Sequence, residues 1–375
     1  MKLLFFKARC ALLILILAFS AFTIAGFTSE AAYKKIDTGD CDAFVSLSVS
    51  PDYIKNEDVR VSSRFYELIF GKKEKEVLLC PSGEAFGILI KEDGITIASS
   101  AAAGLFAGDR ILKIGGRKCL ECEDVLNAVR ESGGAPLKIT LVRDGEETTV
   151  SATPKYKDGE YRLGIALRSQ TAGIGTITFI DPETLSFGGL GHAVSDAETG
   201  APVSIRSGTA CHVTLGSCKK GESGKAGELS GIIGRSPIGS IIKNTECGVF
   251  GKLDSLPKNL PQPIPIAHKK DVKCGEAEII STVKNGKSAI YKIEITDIDY
   301  DSTSSKSFKI KVTDPTLIAL TGGIVRGMSG SPIIQNGKLV GAVTHVMVAD
   351  PTEGYGIFIE NMLSAAENQA QPKAA

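Results

Sequence analysis

The chain has 375 residues, enough for two domains of ordinary size. Its 43 Lys and Arg balance 43 Asp and Glu, which argues against a nucleic-acid partner, since such proteins carry a basic excess or patch. Abundant glycine, no tryptophan, and short Val, Ile and Thr runs broken by glycine favour a β-rich chain over a helical bundle.

The first predicted element is a targeting segment over 1–29. Lys2, Lys7 and Arg9 give it a positive start, and no charge follows from Cys10 to Ser29. This pattern predicts export, with the rest of the chain across a membrane. The apolar run is just long enough to span a bilayer, and Ala18-Phe19-Ser20 and Thr23-Ile24-Ala25 both offer small residues for cleavage. Removal and retention as an anchor therefore both stay open. Residues 30–78 are mixed and read partly as linker, with the charged run Lys72-Lys73-Glu74-Lys75-Glu76 near their end. The cysteines beyond the export segment form no compact disulfide framework. Cys119-Leu120-Glu121-Cys122 has no second such pair and no nearby histidine. Unpaired thiols are expected, with no metal and no cofactor.

A second pattern covers 79–168. Phe86–Ile90 and Ile95–Ala98 read as two strands, and Arg110–Ile114 as a third between glycine turns. Val125, Leu126 and Val129 have the spacing of a short amphipathic helix over Glu123–Ser132. Leu137–Val142 and Thr148–Ala152 form a hairpin around Asp144-Gly145. This order resembles a PDZ domain, most specifically in Ala107-Gly108-Asp109-Arg110-Ile111-Leu112-Lys113-Ile114-Gly115-Gly116. The resemblance implies a carboxylate-holding loop at Glu84–Gly87. A peptide ligand would then add as a strand, contacted by Ala85, Phe86, Gly87 and Ile88.

Residues 169–368 carry many short strands with turn signals between them, which indicates a barrel or sandwich. Ala277–Val283 and Ala289–Ile295 pair around Asn285-Gly286, and Ser307–Val312 alternates. Met362–Glu367 reads as a terminal helix and 369–375 as a tail.

The chemistry concentrates in Gly327-Met328-Ser329-Gly330-Ser331-Pro332. Glycines beside a serine let the backbone turn sharply and present a hydroxyl and bare N–H groups to one point. Acyl transfer needs that arrangement: Ser329 as nucleophile, with the N–H groups of Gly327 and Ser329 as an oxyanion hole. His192, in Gly188-Gly189-Leu190-Gly191-His192, is the first choice of base because its glycine-rich setting mirrors that of Ser329. His345, on the return strand of the Asn336-Gly337 hairpin, is the runner-up. Asp314 precedes Ser329 and offers a carboxylate to orient an imidazole. It equally suits a turn before Pro315. Asp196 is the alternative acid. An α/β-hydrolase is excluded, because its motif wants glycine at position 331 and the order serine, acid, histidine.

Gly191-His192-Ala193-Val194-Ser195-Asp196, Ala172-Gly173-Ile174-Gly175-Thr176 and Thr321–Gly337 together resemble the stage IV sporulation protein B (SpoIVB) peptidases. The resemblance implies a mainly β chain with a minor α component: a PDZ domain followed by a chymotrypsin-like barrel with His192, Asp314 and Ser329 as its triad. It also implies export into the space between forespore and mother-cell membranes. There the enzyme would cleave itself and a membrane-bound regulator of an intramembrane protease, leading to activation of a late sigma factor. The competing reading is a non-catalytic exported adaptor whose PDZ domain recruits a membrane partner.

Overall fold

Two runs expected as separate strands form one. The computed structural model describes residues 76–196, 199–284 and 286–367; the export segment over 1–29, nearly all of 30–78 and the 369–375 tail lie outside them. After β1 (Leu78–Pro81), β2 runs unbroken from Ala85 to Ser100. Its register shifts between Lys91 and Thr96, a bulge that lets one strand serve two cores. Beyond the bulge come β3 (Arg110–Ile114), β4 (Arg117–Lys118), α1 (Cys122–Glu131), β5 (Leu137–Arg143), β6 (Glu146–Ala152), β7 (Lys155–Lys157) and β8 (Glu160–Arg162). Then β9 (Ile165–Ile180) returns along the whole length of β2.

This excursion is the PDZ domain. Ile95, Ile97, Leu105, Ile111, Val125, Val129, Ile139 and Leu141 form its own buried core. Glu121 and Asp124 build a reciprocal capping box that starts α1. Asp109 is buried and pinned by Arg143 and the Phe106 N–H. The motif that carried the PDZ resemblance thus holds its loop from inside.

The rest is two barrels. β9 continues into β10 (Ser186–Gly189), β11 (Ser207–Lys219), β12 (Glu228–Thr245) and β13 (Gly248–Leu253). The β2–β9 pairing closes β9-β10-β13-β12-β11-β2 into a ring filled by Phe86, Ile88, Ile90, Ile177, Phe187 and Ile241. β14 (Ile264–Pro265) pairs with β1 at its margin. The second ring is a closed barrel of β15 (Gly275–Lys284), β16 (Lys287–Ile298), β17 (Phe308–Val312), β20 (Asp350–Phe358), β19 (Lys338–Met347) and β18 (Pro332–Gln335). α2 (Pro315–Thr321) follows β17, and α3 (Ile359–Glu367) is the last described element. Two six-stranded antiparallel barrels in series make the chymotrypsin-like architecture, with the PDZ domain inserted into the first barrel.

The expected boundary at residue 79 is corrected accordingly. Residues 78–91 belong to the first barrel, pairing with β14, β9 and β11. The Asn336-Gly337 hairpin formed as expected, with both residues at positive φ (52° and 73°) as a type I′ turn requires.

Candidate active site

Ser329 sits between β17–α2 and β18, on a turn whose peptides are fixed one by one. The Arg326 carbonyl accepts from Leu229 N–H at 2.9 Å, and Gly327 carbonyl accepts from the Thr176 hydroxyl at 2.8 Å. Met328 N–H donates to Val325, and its carbonyl accepts from Ser331 N–H. The Ser329 carbonyl accepts from Thr176 N–H at 3.0 Å, Gly330 N–H donates to Val343 at 2.7 Å, and the Gly330 carbonyl accepts from the Thr178 hydroxyl. Two N–H groups of this turn, those of Gly327 and Ser329, have no acceptor among the described residues. They are the two expected as oxyanion donors. Gly327 and Ser329 are half-buried, and their N–H groups stay open on a turn whose other peptide groups are paired. Gly327 (φ 99°) and Gly330 (φ 97°) hold backbone that an L side chain resists, and Met328 anchors the turn in the second barrel's core.

The Ser329 hydroxyl donates to the Thr344 carbonyl at 2.7 Å. His345, the next residue, packs against His192 with ring centroids 5.0 Å apart. The two histidines weighed as alternative bases are therefore neighbours, beside the nucleophile's own partner. Gly191 explains how close the loops come: a Cβ there would lie 2.8 Å from the Thr344 methyl.

His192 Nδ1 lies 2.8 Å from the Ala193 carbonyl. A carbonyl only accepts, so Nδ1 carries the proton and Nε2 keeps its lone pair, the tautomer a general base needs. Burial pushes this imidazole below its ordinary 6.5, against a smaller upward pull from that carbonyl and from Glu246. Burial, with the charges of His192 and Lys306, pushes His345 down to about 4. Its Nδ1 is buried without a hydrogen-bond partner among the described residues. Both rings are neutral at neutral pH.

Neither candidate acid is joined to His192 among the described residues. Asp314 is the N-cap of α2: its Oδ1 accepts from Thr316 and Leu317 N–H at 2.8 and 3.0 Å, and its Oδ2 from Lys292 N–H. The alternative reading, a turn former before Pro315, describes what it does here. Asp196 pairs with Arg168 and caps Thr199. His192 Nδ1 meets the Ala193 carbonyl and no carboxylate among the described residues.

The expected peptide contacts at Ala85, Phe86, Gly87 and Ile88 are corrected. This stretch pairs with β9 on one edge and β11 on the other, so no edge is open to a ligand strand. Phe86 and Ile88 are in the first barrel's core, and a Cβ on Gly87 would meet Ile233 at 2.6 Å. The PDZ part of β9, Ile165–Arg168, pairs with β2 alone and has α1 nearby. Leu163-Gly164-Ile165, with Gly164 at φ 73° and open space around it, is the loop that leads into this edge.

Several working residues escaped the sequence reading. Thr176 and Thr178 hold the nucleophile turn, and Asn244 holds the histidine loop through bonds to Val194 N–H, Val194 carbonyl and Val203 carbonyl, each 2.8 Å. The alternation of Thr176 and Thr178 along a strand, placing both on one face, was the available signal.

The chain aligns over 76 residues, at 40% identity, with a Lactococcus lactis protein named as a zinc metalloprotease, covering 20% of this chain and 18% of that one. It aligns over 59 residues, at 34% identity, with the zinc metalloprotease RasP of Geobacillus kaustophilus, covering 16% and 14%. The chain thus spans less than a fifth of the length of these relatives. Among solved structures, the active form of the Rv3671c protease from M. tuberculosis is similar at 16% identity and TM-score 0.33, over 54% of this chain and 78% of that one. The HtrA-type protease AlgW with a decapeptide is similar at 9% identity and TM-score 0.33, over 76% and 63%. Residues 98–143 match the PDZ domain model. Residues 159–363 match the model of the SpoIVB peptidase S55, and the chain belongs to that family.

Proposed function

We propose that Ser329 is the nucleophile, His192 its general base, and the Gly327 and Ser329 N–H groups the oxyanion hole. The observation that carries this reading is the nucleophile turn, saturated except for those two donors. On substrate binding the Ser329 hydroxyl leaves the Thr344 carbonyl and passes its proton to His192 Nε2 as its oxygen attacks the scissile carbonyl. The tetrahedral oxygen accepts from the two open N–H groups. The imidazolium, steadied by the Ala193 carbonyl, then protonates the departing amine, and water hydrolyses the acyl-enzyme by the same steps in reverse. The Thr344 carbonyl lies on β19 beyond Ala342, where its pairing with β18 has ended, and is released to accept from the substrate's main chain.

The physiological role follows from the family and the N-terminal sequence. The peptidase is exported into the space between forespore and mother-cell membranes, with 1–29 either cleaved off or retained as a membrane anchor. There it cleaves itself and a membrane-bound regulator of an intramembrane protease. The PDZ domain takes a peptide strand beside Ile165–Arg168, facing α1, and so brings substrate to the barrels.

A fluorophosphonate probe on the purified chain tests the site. It should label Ser329, as read by peptide mapping, and Ser329→Ala should lose labelling and hydrolysis together. Labelling at Ser331, or a Ser329→Ala chain that cleaves at the parental rate, refutes the assignment. The N-terminus of material recovered from sporulating cells, compared between parent and Ser329→Ala, tests self-cleavage.

A further inference from the structure

Thr176 touches both halves of the catalytic apparatus. It is 2% exposed and sits on β9, in the first barrel. Its hydroxyl donates to the Gly327 carbonyl at 2.8 Å, and its N–H donates to the Ser329 carbonyl at 3.0 Å. Its own carbonyl accepts from Leu190 N–H at 3.2 Å, two residues before His192. The fit leaves no slack: a Cβ on Gly330 would lie 2.0 Å from the Thr176 carbonyl oxygen and 2.5 Å from Leu190 N.

The Gly327–Met328 peptide lies between the two peptides that carry the open N–H groups. Rotating it turns one donor relative to the other. The bond from Met328 N–H to Val325 holds one end of that peptide, and the Thr176 hydroxyl holds the other. Threonine is stiff at χ1, and this one is packed, so the hydroxyl is a fixed point.

We infer that Thr176 is a positioning residue for the oxyanion hole, setting the angle between the Gly327 and Ser329 donors from the opposite barrel and tying that angle to the placement of His192. The inference rests on the Ser329 assignment. Thr178, whose hydroxyl holds the Gly330 carbonyl on the far side of the nucleophile, is the natural comparator.

The test is Thr176→Val, which keeps the shape and removes the hydroxyl, beside Thr176→Ser, which keeps the hydroxyl, and Thr178→Val. Each is measured for kcat and KM on a short peptide, for the rate of fluorophosphonate labelling, and for Tm. Loss of an oxyanion donor itself costs about 10²–10³-fold in kcat, so a misdirected pair should cost roughly 10- to 100-fold. Thr176→Val should show that loss in kcat and in labelling rate with KM little changed. Thr176→Ser should restore both, and Thr178→Val should lose Tm more than rate. If Thr176→Val does not fold, Thr176→Cys, of similar size and a poor donor, takes its place. A valine or cysteine variant at parental rate overturns the inference, as does a serine variant as slow as the valine one. Wild-type chain that is never labelled at Ser329 removes the nucleophile assignment and this inference together, whereas normal labelling with an unimpaired Thr176→Val removes only the inference.

Discussion

The two barrels have the same number of strands and close in different ways. The second is built largely from sequence neighbours, β15 with β16, β16 with β17, β18 with β19 and β19 with β20, and two further pairings, β17–β20 and β15–β18, join these runs into the ring. The first closes through β2 and β9, which the whole PDZ domain separates in sequence. The functional loops differ in parallel. The nucleophile turn of the second barrel is fixed by backbone bonds and by two threonine hydroxyls. The histidine loop of the first has backbone bonds of its own, Leu190 N–H to Thr176 and Val203 N–H to Val194, and adds the Asn244 side chain and the Arg168–Asp196 ion pair. Arg168 lies on the β9 segment that pairs with the PDZ part of β2. The difference teaches that the serine turn is fixed at nearly every peptide group, while the histidine loop adds to its backbone bonds an amide and an ion pair that reaches the strand shared with the PDZ domain.

The largest expected effect separates the two adjacent histidines. His192→Ala should lower kcat by about 10³-fold or more, as loss of a triad base does, while His345→Ala should keep most of the rate. The reverse would transfer the base to β19. The pH–rate profile sharpens this. Burial holds the His192 pKa below 6.5, so kcat/KM should rise with pH through a midpoint below that value. Stability has a related sign. His345 titrates near 6.5 unfolded and about 4 folded, so between these values the unfolded chain binds more protons. Stability contributed by its neutral form is complete above 6.5 and is lost as pH falls toward 4. Urea midpoints across that window should fall with acid, and His345→Phe should flatten the slope.

Next is the seam between barrels. Gly330→Ala places a Cβ 2.0 Å from the Thr176 carbonyl at φ 97°, and should cost on the order of 3–5 kcal/mol from strain and overpacking together. Gly337→Ala, at φ 73° with nothing within 4 Å, should cost only about 1–2 kcal/mol. Equal urea midpoints for the two variants would mean that the barrels yield at their seam as easily as at a surface hairpin.

The smallest effect concerns Asp314. Asp314→Ala removes an N-cap and should cost about 1 kcal/mol of stability with kcat nearly unchanged, and Asp314→Asn should be close to neutral in both. A loss of several orders of magnitude in kcat with unchanged Tm would restore Asp314 to the triad in the working enzyme.

Local chemistry was legible in the sequence. Asn336-Gly337 and Asp144-Gly145 made their hairpins because two consecutive positive-φ residues suit little else. The amphipathic spacing of Val125 and Val129 gave α1, and the glycines beside Ser329 gave the strained turn with its open donors. Sequence likewise singled out His192 and His345 from the chain's four histidines. What it could not supply was anything set by pairing across long separations. Phe86–Ile90 alternates like any strand, and only the closure of the ring shows that both its edges are occupied. Asp314 before a proline suits a helix cap and a catalytic acid alike, and the direction of its carboxylate was decided by the fold of α2. Thr176 is an ordinary strand residue until the second barrel docks against it. Turn geometry is a property of two or three adjacent residues, and so is written in them; the convergence of loops from two barrels is a property of packing, and appears only when both barrels are closed.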